Sequence, residues 1–123
     1  MTDLGKADAA HPDPVQTDPT LYRELFENDR VRVLEYRDQP GDCTHPHAHP
    51  DSVMVTLASF RRRLWSGGKE VELELAPFQA RWVGAQEHSG MNIGGSETHS
   101  IFVELKEPVP ARGEPERLGP SRS

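Results

Sequence analysis

The chain has 123 residues, a formal net charge of −6 and a single cysteine, with a sequence pI of about 5.5. That length supports one domain with a modest core, and the acidic balance argues against a nucleic-acid surface, which needs clustered basic residues. Cys43 alone leaves no internal disulfide, and no apolar run approaches the ~18 residues of a membrane span or the pattern of a secretory leader. A cytoplasmic protein is expected, and arginine outnumbering lysine 11 to 3 suggests a GC-rich bacterial genome.

Residues 1–20 read as a disordered or extended tail, because Pro12, Pro14 and Pro19 interrupt any helix and no apolar period develops. Order is expected from Leu21 onward, with residues 21–27 forming a short strand or a helical turn and Asn28-Asp29 a turn. Val31, Val33 and Glu35 then alternate with Arg32, Leu34 and Tyr36, the period of a strand with one buried face. Residues 39–42 make a second turn. Beyond it, His45, His47 and His49 occupy alternate positions. In an extended strand, side chains two apart share a face. The three rings can therefore point into one pocket, as two or three ligands of a metal must.

Residues 53–57 are β-branched and apolar, and the strand is expected to run on to Trp65. It carries Arg61, Arg62 and Arg63, which read as a solvated face. Ser66-Gly67-Gly68-Lys69 is a hairpin signal. On the returning strand Val71, Leu73 and Leu75 alternate with Glu70, Glu72 and Glu74. Residues 80–83 form another short strand, residues 84–87 turn into His88, and residues 92–97 form a turn that includes Asn92. The last strand covers residues 98–105, with His99, Ile101, Val103 and Leu105 on one side. Pro108 and Pro110 open a second tail, residues 108–123. Seven or eight short strands without a helix describe an all-β sandwich or barrel, whose interior can hold a small ligand.

Two spacings go further. Gly41 is followed after five residues by His47-Ala48-His49, and His88 after three residues by Asn92. These resemble the two motifs of the cupin superfamily, the small β-barrels related to germins, and the resemblance spans residues 21–107. The sequence departs from the pattern at the first motif's glutamate, whose slot falls on Val53 or Met54. It departs again where Pro77, Val83 and Ala85 replace the second motif's glycine, proline and glycine.

The resemblance implies a single-domain double-stranded β-helix, or jelly roll. It makes His47, His49 and His88 ligands of a divalent transition metal (Zn, Fe, Ni, Cu or Mn), with Asp51, Glu87, His45 or water for the remaining position. Met54 makes the pocket less polar, and Trp82 is the aromatic residue expected to touch a ligand. If the His99 face lines the barrel, His99 is a catalytic acid or base. The functions left open are an enzyme acting on a small organic molecule (oxygenase, isomerase or lyase type), a non-catalytic small-ligand module, and a structural barrel. A homodimer formed through sheet edges and N-terminal strands is also implied.

Overall fold

The computed structural model describes residues 12–106. In chain order these form a one-turn helix α1 (Pro14–Thr17) and nine strands: β1 (Tyr22–Glu27), β2 (Val31–Asp38), β3 (His47–His49), β4 (Ser52–Thr56), β5 (Phe60–Ser66), β6 (Lys69–Leu75), β7 (Ala80–Val83), β8 (Gln86–Asn92) and β9 (Thr98–Leu105). They build two antiparallel sheets, one in the order β1-β2-β9-β4-β7 and one in the order β3-β8-β5-β6. Among the described residues no helix is long and apolar enough to cross a membrane.

The helix lies inside the segment expected to be a tail. Pro14 does not break it, because it stands in the first turn, where its missing N–H has no partner to lose. Asp13 caps the turn by accepting from the Val15 N–H at 3.0 Å. The segment is docked: Ala48 N donates to Pro12 O at 3.1 Å, and Val15 packs on the cluster of Tyr22, Leu34 and Tyr36. The rest of the two expected tails, residues 1–11 and 107–123, lies outside the described residues.

The strand expected to run from Val53 to Trp65 is two strands in different sheets. β4 pairs with β9 and β7, whereas β5 pairs with β8 and β6. This change of sheet after Thr56 helps set the two layers face to face. The hairpin at Gly67-Gly68 is as expected: both residues have positive φ, +55° and +81°, as a two-residue turn of matching twist requires.

Strand parity sorts the side chains. Leu34, Tyr36 and Asp38 of β2, Ser52, Met54 and Thr56 of β4, and Thr98, Ser100 and Glu104 of β9 are buried. The run of three arginines divides. Arg61 and Arg63 face outward to Glu72, while Arg62 turns inward, its Nη1 2.6 Å from Asp38 Oδ2. Asp38 also accepts from Tyr36 Oη, from Asn92 Nδ2 at 3.0 Å and from Thr98 N at 3.3 Å. A buried ion pair survives desolvation only when its hydrogen bonds are made, and four donors converge here. Asn92, expected to be a simple turn residue, is buried and ties this network to the β8–β9 turn through Ser96 O and Gly94 N.

Between the sheets lies a cavity of about 240 Å³. Gly90 is part of its wall, packed so closely that a Cβ there would come within 2.8 Å of Leu64 Cδ2.

Candidate metal centre

His47 and His49 point the same way from β3, and register sets His88 of β8 directly opposite His47. Each of the three histidines offers a ring nitrogen, and these atoms lie within 4.8 Å of one another. Ring centroids are 4.6 Å apart for His47–His49, 5.0 Å for His47–His88 and 4.9 Å for His49–His88. Tyr22 meets the His47 ring edge-on, and Phe102 stacks on His49 at 5.6 Å, so aromatic packing limits how the rings can turn.

The second nitrogen of each ring already has a neighbour. His47 Nδ1 lies 2.8 Å from His45 O. A carbonyl only accepts, so the proton sits on Nδ1 and the lone pair on Nε2. His88 Nδ1 lies 2.7 Å from Gln86 Oε1, and that amide is oriented by its own Nε2 donating to Gly84 O at 3.0 Å. His49 Nδ1 faces Glu104 Oε2 at 3.6 Å, within ion-pair range but beyond a hydrogen bond, and both atoms are buried without a hydrogen-bond partner. Carbonyl, amide and carboxylate are the partners that metal-ligating histidines use to fix tautomer and orientation. His47 Nε2 is buried without a partner.

Burial is the main influence that depresses the two histidines facing each other across the sheet. His47 is lowered to about 4 and His88 to about 3, with the neighbouring His49 adding to both shifts. At neutral pH both are uncharged imidazoles with lone pairs, the form that binds a metal. Three clustered histidine rings in a largely buried pocket, one with an orphaned nitrogen, fit a divalent transition metal.

Glu104 was not foreseen from the sequence. It is 3 % exposed, and its Oε1 accepts from Arg32 Nε at 2.9 Å. Burial raises its pKa most strongly among the individual influences, yet the interactions with His49 and Arg32 together hold it below the ordinary carboxylate value. Arg32 also pairs with Asp13, ahead of α1. An ion-pair chain thus runs from the N-terminal segment to the back of His49.

The other expected site residues divide. Met54 is buried and lines the cavity, and Trp82, 60 % exposed, borders it. His45 does not join the cluster: β3 begins only at His47, and the His45 side chain, 75 % exposed, is held by Asp18 at 2.9 Å. Asp51 is exposed, its Oδ1 accepting from Ala85 N at 2.8 Å. Glu87 is exposed, on the strand face opposite His88. Val53, half of the vacant glutamate slot, points outward beside buried Met54.

His99, the expected acid or base, lies on the outer face. Its Nε2 is 2.8 Å from Glu35 Oε2 and its Nδ1 3.2 Å from Arg37 Nη2. The inward residues of β9 are Thr98, Ser100, Phe102 and Glu104, of which the first three line the cavity. The aliphatic residues beside His99 were the misleading signal.

No protein-family pattern and no curated protein sequence matches this chain. Solved structures do. A cupin domain from Bordetella pertussis Tohama I aligns over 80 % of this chain and 99 % of its own, with 24 % identity and a TM-score of 0.66. This chain has the cupin fold. A cupin superfamily protein from Desulfitobacterium hafniense DCB-2 aligns over 69 % of this chain and 75 % of its own, at 16 % identity and a TM-score of 0.52. The polyketide cyclase RemF from Streptomyces resistomycificus aligns over 68 % and 63 %, at 20 % identity and a TM-score of 0.54. In this chain the three-histidine cluster is present, and a carboxylate, Glu104, stands behind His49 rather than at Val53 or Met54.

Proposed function

We propose that this cupin is a metal-dependent protein that takes a small, largely apolar organic molecule into the barrel beside a divalent transition metal held by His47, His49 and His88. The observation that carries the reading is the donor set: three clustered rings whose second nitrogens face acceptors, with His47 Nε2 buried and unpartnered. When bound, such a metal supplies Lewis-acid polarisation of an oxygen-bearing group and, if redox-active, oxygen chemistry.

The residues around it define the guest. Met54, Phe60, Leu64, Leu73, Val83 and Phe102 give apolar walls. Arg62 and the Ser100 hydroxyl, which is buried without a partner, supply polar anchors. The volume of about 240 Å³ is below that of drug-sized pockets and suits a compact molecule. Tyr22 and Tyr36 are both raised well above the ordinary phenol value, chiefly by burial, so they donate hydrogen bonds and do not act as bases. Among the described residues, no carboxylate lines the cavity. That supports oxygenase-type turnover or metal-tethered binding over isomerase or lyase chemistry driven by a carboxylate base.

The experiment is metal analysis of protein purified without a histidine tag. Near-stoichiometric metal that is lost in His47→Ala and in His88→Ala is expected; wild type that neither retains nor takes up a divalent transition metal refutes the reading. Oxygen uptake and turnover with diketones, keto acids and phenolics, measured on loaded protein, then separates enzyme from binding module.

A further inference from the structure

Two surface arginines of this fold bind carboxylates in the same way. Arg23 closes its Nε–Nη2 edge on Glu35, at 3.1 and 2.8 Å, and Arg63 closes that edge on Glu72, at 3.3 and 2.8 Å. The edge presents two parallel N–H groups, the fork that matches a carboxylate. Arg62 uses its guanidinium differently. It is buried, and among the described residues that line the cavity it alone carries a permanent charge. Its Nη1 donates to Asp38 Oδ2 at 2.6 Å and to Thr98 Oγ1 at 3.2 Å. Asp38 is fully buried behind it, with four donors already converging on its carboxylate. Among the described residues, no carboxylate meets the Nε–Nη2 edge of Arg62.

Arg62 leans toward the metal centre. Its backbone stands opposite Asn92 on β8, four positions from His88. Its Nη2 has nevertheless come level with Gly90, where an added Cβ would lie 3.1 Å from it. The side chain thus covers two of those four positions and leaves roughly 7 Å of strand to His88, a gap that a few carbon atoms span. Ser100, two positions from Thr98 on β9, lines the same cavity and has a buried hydroxyl without a partner. On the reading of the barrel as a pocket for an organic guest, we infer that Arg62 is the subsite for a carboxylate on that guest. The molecule taken up is then a small monocarboxylate with an apolar body. A guanidinium only donates, and a planar pair of oxygens closes both of its N–H groups at once, which a single carbonyl or hydroxyl oxygen does not. One guanidinium shared by two carboxylates is an arrangement this fold already holds, since Arg32 pairs with both Asp13 and Glu104. With its carboxylate on Arg62, the guest lays its apolar body against Phe60, Leu64 and Phe102 and turns its far end to His47 and His88.

Calorimetric titration of the full chain with benzoate and with benzamide near neutral pH tests this, once on zinc-loaded protein and once after chelation. Benzamide keeps the ring and lacks the anionic pair of oxygens. Benzoate is expected to bind about tenfold more tightly than benzamide, or better, in both forms. It should also shift the Arg62 Nε–H resonance of isotope-labelled protein. Arg62→Lys keeps a cation for Asp38 but has no fork, so benzoate should fall to the affinity of benzamide while zinc affinity is retained. Equal binding of the two probes, binding of neither, or a preference that Arg62→Lys retains overturns the inference. So does a preference that vanishes on chelation, which would put the carboxylate on the metal. Should Arg62→Lys fail to fold, the wild-type Nε–H resonance decides, and a signal that benzoate leaves unmoved overturns the assignment. Zinc uptake is read separately: its absence with the benzoate preference intact refutes the metal centre and leaves the carboxylate subsite standing.

Discussion

Glu104→Gln isolates the carboxylate behind His49. Glutamine keeps the shape and the reach to Arg32 Nε, 2.9 Å from Glu104 Oε1, and Arg32 retains Asp13, so no buried cation is stranded. The change falls instead on Oε2, 3.6 Å from His49 Nδ1. A carboxylate there favours the proton on Nδ1 and leaves Nε2 free. A glutamine can turn its NH₂ toward Nδ1, favouring the tautomer whose Nε2 is protonated and cannot ligate. Loss of such an outer partner weakens metal binding by about 10- to 100-fold, or about 1.4–2.7 kcal/mol. Replacing a charged hydrogen-bond acceptor with a neutral one costs about 1–2 kcal/mol of folding stability. Competitive zinc titration against a chromophoric chelator gives the first number and urea unfolding of the metal-free protein the second. The absorption spectrum of cobalt-loaded protein should shift as the His49 ligand field changes. A folded Glu104→Gln protein with wild-type zinc affinity and an unaltered cobalt spectrum refutes the positioning role.

Asp38→Asn removes the charge opposite Arg62 and disturbs an acceptor used by four donors; breaking a buried pair costs about 3–5 kcal/mol, a large part of the ~5–15 kcal/mol of a typical domain. A loss below about 1 kcal/mol in urea unfolding contradicts the network described. His99→Ala, on the outer face, should leave metal content unchanged and cost about 1 kcal/mol or less; metal loss from a folded variant would place His99 at the site after all. For the metal-free protein, His47 and His88 have folded pKa values of about 4 and about 3, below the ordinary 6.5. The unfolded chain therefore binds more protons as pH falls through about 6.5, and stability declines toward acid. Between about pH 7 and pH 5 the linkage is about 2 kcal/mol for each histidine, and an unfolding midpoint that stays flat across that window excludes buried neutral imidazoles.

Local chemistry was legible in the amino-acid order. Gly67-Gly68 specifies its hairpin because two successive positive-φ residues favour glycine. The spacing of His47 and His49 gives a shared face because side chains alternate along a strand, and the likeness to a known motif pair added His88 across the sheet. The N-terminal turn was missed because Pro14 reads as a breaker unless its position in the turn is known. Alternation defines two faces of a strand, but it does not say which one turns inward. On β2 and β9 that choice went to Leu34, Tyr36, Ser100 and Glu104, and away from Val33, Ile101 and Val103. Only the packing of one sheet on the other makes that choice, since it brings Arg32, Glu104 and His49 from distant parts of the chain within hydrogen-bonding or ion-pair range. A buried carboxylate is tolerable only once those partners are in place, so no stretch of sequence read alone could reveal it.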